Sequence, residues 1–155
     1  MHEGFLQTYI VFRRSIHDIL DLMDKRKRFF IAGHSLGAPL APLALPDLAA
    51  CTGFAAPILY TYASPRVGDM AFAAAYNRLH DKRSFRITNT SDLVVSIPLP
   101  VPFLRFIGGY FTHVDTPIDF TIQKEDLELN HLIATYLSAL QEERERQGFL
   151  LNLFG

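Results

Sequence analysis

The stretch Arg28-Phe29-Phe30-Ile31-Ala32-Gly33-His34-Ser35-Leu36-Gly37 joins an apolar run to a G-x-S-x-G pentapeptide. This pattern is typical of a nucleophile elbow, in which a strand turns sharply into a helix and exposes the serine side chain. We expect glycine at positions 33 and 37 because a Cβ at either place would clash where the chain passes close to itself. The Leu36 N–H, at the start of the helix, would then point toward a substrate oxyanion.

Predicted strands and helices alternate on both sides of this elbow. Apolar residues recur at intervals of three and four over residues 4–25, which predicts an amphipathic helix. Buried strands are predicted at 28–34 and 58–62, a third strand with alternating apolar and polar residues at 84–88, and two short strands at 111–122. A proline-stiffened loop is predicted at 97–102, and later helices start near Asp69 and Asn130. We therefore predict one α/β domain over residues 1–155, with a mostly parallel sheet, flanking helices and a short C-terminal hairpin.

Three prolines fall within the helix that should follow the elbow, namely Pro39, Pro42 and Pro46. Proline is tolerated in a first helical turn, but in an interior it costs about 3 kcal/mol and kinks the helix. We therefore expect this helix to be bent or interrupted.

Composition narrows the function classes. The net charge of −1 over 155 residues gives no basic surface for a nucleic acid, so no nucleic-acid partner is expected. The single cysteine excludes an intrachain disulfide, and no histidine and cysteine spacing resembles a metal site. No glycine-rich phosphate loop occurs, so we expect no cofactor and no metal. Residues 1–5 lack the features of a signal peptide, and the sequence assigns no compartment.

A serine nucleophile needs a base, and the base needs an acid that orients it. On α/β-hydrolase folds these residues occur in the chain order Ser, Asp or Glu, His. Asp92 follows the predicted strand at 84–88, and active sites assemble at the carboxyl ends of parallel strands. Asp69 also follows a strand, but its position is typical of a helix cap. We therefore favour Asp92 as the acid.

Six histidines are candidates for the base. His131 comes after the last predicted strand, at the junction of a loop and a helix, where these folds present the base. His113 alternates within a predicted strand and remains the alternative. His34 lies inside the elbow and should point away from the serine. We therefore predict Ser35, Asp92 and His131 as the catalytic residues, namely the nucleophile, the acid and the base.

Five ordered segments carry a wider resemblance: His2-Glu3-Gly4-Phe5, Gly33–Gly37, Tyr60–Asp69, Asn89–Val94 and Asn130-His131-Leu132. They are similar to the motifs H-x-G-F, G-H-S-L-G, Y-T-x-G-x-P-R-V-G-[ND], N-x-x-D-x-V and the D-H-L or N-H of the fungal-type (class 3) lipase family of α/β-hydrolases. The resemblance implies Asp92 and His131 as the triad partners of Ser35. It also implies metal-free hydrolysis of acyl or lipid esters through an acyl-enzyme, with transient contact at a lipid interface.

One departure from the family pattern leads to further expectations. The family carries additional strands before H-x-G-F, and one of them ends in an F-R-G-[ST] motif that supplies a second oxyanion donor. Because this chain reaches H-x-G-F at His2, we expect those strands to be absent and the Leu36 N–H to act alone. The elbow strand would have an open edge, which predicts a homo-oligomer formed through that edge. The alternative to an esterase is a catalytically weak or inactive lipase-like remnant that serves as an assembly module.

Overall fold

The structure, a computed structural model, describes residues 2–54, 57–98 and 110–154, which form helices around a parallel sheet. The helices are α1 (Glu3–Asp21), α2 (Gly37–Cys51), α3 (Met70–His80), α4 (Leu127–His131) and α5 (Ile133–Phe154). The strands are β1 (Phe30–His34), β2 (Ile58–Tyr62), β3 (Gly68–Asp69), β4 (Ser84–Asn89), β5 (Phe111–Thr112) and β6 (Thr116–Phe120). Positions 99–102 of the expected proline-stiffened loop lie outside the described residues. None of the helices in the described ranges is long and apolar enough to cross a bilayer.

The main sheet has four parallel strands in the order β1-β2-β4-β6. Because side chains alternate across a strand, Leu59 packs with α1, α2 and α3, whereas Tyr60 and Tyr62 pack around Tyr136 of α5. Helices therefore flank both faces, and the predicted α/β architecture is confirmed. The carboxyl ends of the parallel strands all meet at one edge of the sheet, which is where the candidate site lies.

The predicted C-terminal hairpin is wrong. The two short strands exist, but β5 pairs antiparallel with β3, whereas β6 pairs parallel with β4. Asp115, between them, has a φ of 78° and accepts hydrogen bonds from Ser84 and Thr61. Its N–H also donates to the side chain of Asn77 at 3.0 Å. These buried contacts redirect the chain at Asp115, so that β6 runs along β4 and does not fold back on β5.

The prolines do not interrupt the helix after the elbow. A single helix, α2, runs from Gly37 to Cys51 with Pro42 and Pro46 inside it, so the expected interruption is wrong. Pro39 lies in the first turn, where its missing N–H has no intrahelical partner. Pro42 is fully buried, and burial of neighbouring side chains such as Leu45 offsets the lost helical hydrogen bonds.

Strand β1 is more exposed than the sequence predicts. The expected buried strand at 28–34 is observed at Phe30–His34, and the Phe30 side chain is 51% exposed. Among the described residues, no strand pairs with the outer edge of β1. Beside that edge, β1, α1 and α2 line an apolar groove of about 540 Å³ that contains Phe12, Ile16 and Leu40. The apolar residues of β1 thus line an open groove, and Ile31 also packs against the core.

A polar cluster joins α1 to α2 through the carboxylate of Asp47. Arg13 donates two hydrogen bonds to it at 2.9 and 2.7 Å, and the Tyr9 hydroxyl donates a third at 2.5 Å. The His17 ring lies 2.8 Å from the same carboxylate. The Arg13 guanidinium, with Tyr9 and His17, holds the pKa of Asp47 well below its ordinary value. The ionised carboxylate therefore stabilises the packing of the two helices.

We predict that Asp47→Asn lowers the free energy of unfolding by about 1–2 kcal/mol at pH 7. A depressed pKa contributes stability that is present above the unfolded pKa, about 3.9, and is lost as the pH falls through the folded pKa. The gap between wild type and variant should therefore narrow from pH 7 toward pH 3 in urea titrations. Asp18→Asn is the control, because the Asp18 side chain is 71% exposed and its ion pair with exposed Arg14 is long, at 3.9 Å. A difference in unfolding free energy between wild type and Asp47→Asn that does not change with pH would contradict a stabilising role of the ionised Asp47 carboxylate.

Candidate active site

The elbow places Ser35 between β1 and α2 in a left-handed conformation, with a φ of 54°. A Cβ at Gly33 would lie 2.4 Å from the carbonyl oxygen of Gly37 and 2.9 Å from the Cα of Ala38, so only glycine fits. A Cβ at Gly37 would meet nothing within 4 Å, so the expected clash at that position is wrong. Leu36 is the N-cap of α2, and its N–H has no carbonyl partner within the helix.

The structure brings Ser35, His131 and Asp92 together in a hydrogen-bonded chain. The Nε2 atom of His131 lies 2.7 Å from the Oγ atom of Ser35. The Nδ1 atom of His131 lies 2.8 Å from the Oδ2 atom of Asp92. Because an ionised carboxylate only accepts hydrogen bonds, Nδ1 carries the proton and Nε2 is free to accept from the serine hydroxyl. His131 lies at the end of α4, directly before α5.

The Asp92 carboxylate is buried and is held by two further donors. The Val94 N–H donates to its Oδ1 atom at 2.9 Å, and the Tyr136 hydroxyl donates to its Oδ2 atom at 2.7 Å. A buried carboxylate is costly unless it is hydrogen-bonded, and these contacts supply its partners. Asp92 is thus fixed in position beside His131 by contacts on both carboxylate oxygens.

Sequence reasoning missed Tyr136, whose spacing indicates only an apolar face of the last helix. Its hydroxyl also accepts a hydrogen bond from the Asn89 N–H at 3.2 Å. Burial, together with the Asp92 carboxylate, raises the pKa of Tyr136 well above its ordinary value, so the hydroxyl remains a donor. The ring packs edge-on against Phe120, with the centroids 5.2 Å apart. The only sequence signal was a tyrosine among leucines on this face.

The other candidates for the base and the acid, His113 and Asp69, make different contacts. His113 is half-buried near Arg86 and Arg66, and burial, reinforced by these cations, lowers its pKa to about 4. Its Nδ1 atom has no hydrogen-bond partner among the described residues, and Ser35 bonds His131 instead. Asp69 accepts a hydrogen bond from the Phe72 N–H at 2.8 Å, as expected of the cap of α3. Within the described ranges, no group of three His, Cys, Asp or Glu residues could hold a metal ion.

Each of the three hydrogen-bonded residues is followed in sequence by an exposed leucine. Leu36, Leu93 and Leu132 are 62%, 59% and 47% exposed, and they directly follow Ser35, Asp92 and His131. We call these three leucines the apolar rim of the site.

A serine at a sharp turn between strand and helix, above a parallel sheet and bonded to a later histidine, defines an α/β-hydrolase-like fold. Residues 1–101 match the family model Lipase (class 3). The chain therefore belongs to the class 3 lipase family, and the resemblance drawn from the motifs is confirmed.

Relatives and solved structures agree with this family assignment. The chain is 35% identical over 128 residues to phospholipase A1 EG1, chloroplastic/mitochondrial, of Oryza sativa subsp. indica, covering 76% of this chain and 29% of the relative. It is 35% identical over 105 residues to the secreted mono- and diacylglycerol lipase A of Penicillium cyclopium, covering 64% and 31%. The crystal structure of a mono- and diacylglycerol lipase from Aspergillus oryzae superposes with a TM-score of 0.65 at 27% identity, covering 81% of this chain and 44% of that one. The chain thus spans about a third of the length of these sequence relatives.

We predict that Tyr136→Phe lowers the rate at which Ser35 reacts with a fluorophosphonate probe by about tenfold. The ring keeps its packing, but Asp92 loses one donor and orients His131 less firmly. Labelling kinetics followed by mass spectrometry would measure the change. Tyr62→Phe is the matched control, because the Tyr62 ring also packs edge-on against Tyr136. Labelling of Tyr136→Phe at the wild-type rate would contradict the role of the hydroxyl.

Proposed function

We propose that this chain, acting as one domain over residues 1–155, hydrolyses carboxylic esters of acyl or lipid substrates through an acyl-enzyme intermediate. Ser35 is the nucleophile, His131 the general base, Asp92 the acid that orients it, and the Leu36 N–H an oxyanion donor. The observation that carries the proposal is the chain of hydrogen bonds from Ser35 through His131 to Asp92, at 2.7 and 2.8 Å.

In the acylation step, the Oγ atom of Ser35 attacks the ester carbonyl carbon, and its proton passes to Nε2 of His131. Asp92 stabilises the imidazolium through the Nδ1–H, while the Leu36 N–H donates to the oxyanion. The carbon–oxygen bond to the alcohol then breaks, and the departing oxygen takes the proton from His131. Ser35 is left carrying the acyl group.

In the deacylation step, a water molecule attacks the acyl carbon and gives its proton to Nε2 of His131. The intermediate collapses, the carboxylic acid leaves, and the proton returns to the Oγ atom of Ser35. The net reaction consumes one ester and one water and releases one acid and one alcohol, so the cycle needs no cofactor.

The apolar rim supports an acyl substrate. Leu36, Leu93 and Leu132 offer hydrocarbon contact beside the serine, where an acyl chain or the surface of a lipid aggregate loses water. The relatives named above are a phospholipase A1 and a mono- and diacylglycerol lipase, which agrees with a lipid ester as substrate. With the Leu36 N–H as an oxyanion donor, we expect turnover of short activated esters.

We predict that Ser35→Ala abolishes both fluorophosphonate labelling and the burst of p-nitrophenol from a short p-nitrophenyl ester. Turnover should fall by at least about 10³-fold, because the variant cannot form an acyl-enzyme. Stopped-flow absorbance would measure the burst. Ser15→Ala, an exposed serine on α1, is the control and should react like the wild type. Labelling that persists in Ser35→Ala would refute the proposal, and wild-type turnover no faster than that of Ser35→Ala would favour the assembly module.

We also propose that a second copy of the chain covers the outer edge of β1. The Ile58 N–H donates to the Phe29 carbonyl, and the Ser35 N–H donates to the Tyr62 carbonyl. Along β1, the backbone N–H and C=O groups of odd-numbered residues therefore point toward β2, and those of even-numbered residues point away from it. The N–H of Ala32 therefore faces the open edge, where a neighbouring strand could pair with it. The adjacent groove of about 540 Å³ would bury apolar side chains of the second copy.

We predict that the wild type self-associates and that Ala32→Pro raises the dissociation constant by about tenfold or more. Proline removes the outward N–H but leaves the hydrogen bonds to β2 in place. Light scattering over a concentration series would measure the mass. Ala32→Val retains the N–H and serves as the control. A monodisperse wild-type monomer would refute the edge contact.

A further inference from the structure

The carbonyl group of His131 is bound by a side chain of the elbow itself. The Nε2 atom of His34 lies 2.9 Å from the carbonyl oxygen of His131, and the two ring centroids are 5.0 Å apart. Since a carbonyl only accepts hydrogen bonds, Nε2 of His34 carries the proton in this contact. The residue directly before the nucleophile thus holds the backbone of the base.

The preceding carbonyl is held in the same way from another strand. The Nδ2 group of Asn89, at the end of β4, donates to the carbonyl of Asn130 at 3.1 Å. The last carbonyl groups of a helix have no partner within the helix, and α4 has only five residues. His34 and Asn89 therefore satisfy two successive carbonyls at the end of α4, one from β1 and the other from β4.

This arrangement bears directly on the distance between the base and the nucleophile. The imidazole of His131 must reach Oγ of Ser35 and Oδ2 of Asp92 at the same time, at 2.7 and 2.8 Å. Asn89 and Asp92 belong to the β4 side of the site, so they fix His131 relative to the acid. His34 is adjacent to Ser35 in the chain, so its contact fixes His131 relative to the nucleophile. A shift of about 1 Å between reacting groups can cost about a hundredfold in rate.

We propose that His34 is a positioning residue that sets the distance between His131 and Ser35 through its Nε2–H. The assignment rests on the proposed ester hydrolysis and goes beyond it, since the triad itself does not include this residue. The histidine inside the G-x-S-x-G pentapeptide thereby has a role that depends on one ring nitrogen.

Substitution of His34 by glutamine or by asparagine tests the role of its Nε2–H donor directly. The Nε2 group of a glutamine side chain reaches about as far from the backbone as Nε2 of histidine, whereas the Nδ2 group of asparagine is one carbon shorter. His34→Gln therefore keeps the donor, and His34→Asn, equally polar, withdraws it. His34→Phe keeps a ring without any donor. Thermal unfolding of each variant establishes that the compared samples are folded.

We expect kcat for a short p-nitrophenyl ester to fall about ten- to hundredfold in His34→Asn and His34→Phe, with KM nearly unchanged. His34→Gln should remain within about threefold of the wild type. A general structural defect would impair the two amide variants equally. Equal impairment of His34→Gln and His34→Asn, or wild-type kcat in both His34→Asn and His34→Phe, would overturn the proposal.

A second readout separates this proposal from the proposed function. The Nδ1 proton of His131, hydrogen-bonded to Asp92, should give a far-downfield proton NMR signal that Asp92→Asn removes. We expect the signal in the wild type and in His34→Gln, and its loss or broadening in His34→Asn. This pattern supports positioning by His34 even if the wild type does not turn over esters, a result that would refute the hydrolase function alone. An unchanged signal in all His34 variants would refute positioning whatever the activity.

Discussion

The close approach of α2 to the end of β1 is the constraint on which the site depends. A Cβ at Gly33 would lie 2.4 Å from the backbone of Gly37, so the turn forms only with glycine at position 33. The turn holds Ser35 at a positive φ, and the Ser35 N–H donates to the carbonyl of Tyr62 in β2. The strained residue is therefore fixed to the sheet on one side and to the start of α2 on the other. This fixation places the Ser35 hydroxyl within hydrogen-bond distance of His131.

A buried polar network completes what the elbow begins. Asp92 accepts hydrogen bonds from His131, Tyr136 and the Val94 N–H, and Asn89 joins the Tyr136 hydroxyl to the end of α4. In a medium of low dielectric constant, each missing partner would leave a costly unpaired group, so the network favours one arrangement. The contacts around His131 thus come from β1, β4 and α5 together, and from no single element.

Much of the fold and of the candidate site could be predicted from short segments of the sequence. The elbow, the strand at Ile58–Tyr62 and the cap at Asp69 each depend on residues that are close in sequence, and each was found where the pattern indicates. The order Ser35, Asp92, His131 in the sequence pointed to these three residues as candidates. The structure brings their side chains within hydrogen-bond distance. The matching family motifs are short segments of the same kind.

The sequence alone determined the elbow, the alternation of strands and helices, and the three polar residues of the candidate site, because these depend on local sterics and periodicity. Only the tertiary structure decided the partners of β5 and β6, the continuity of α2 through its prolines, and the contacts of Tyr136 with Asp92 and of His34 with His131. Those features rest on contacts between residues far apart in the chain. The burial that rewards such contacts exists only once the sheet and its helices have packed together.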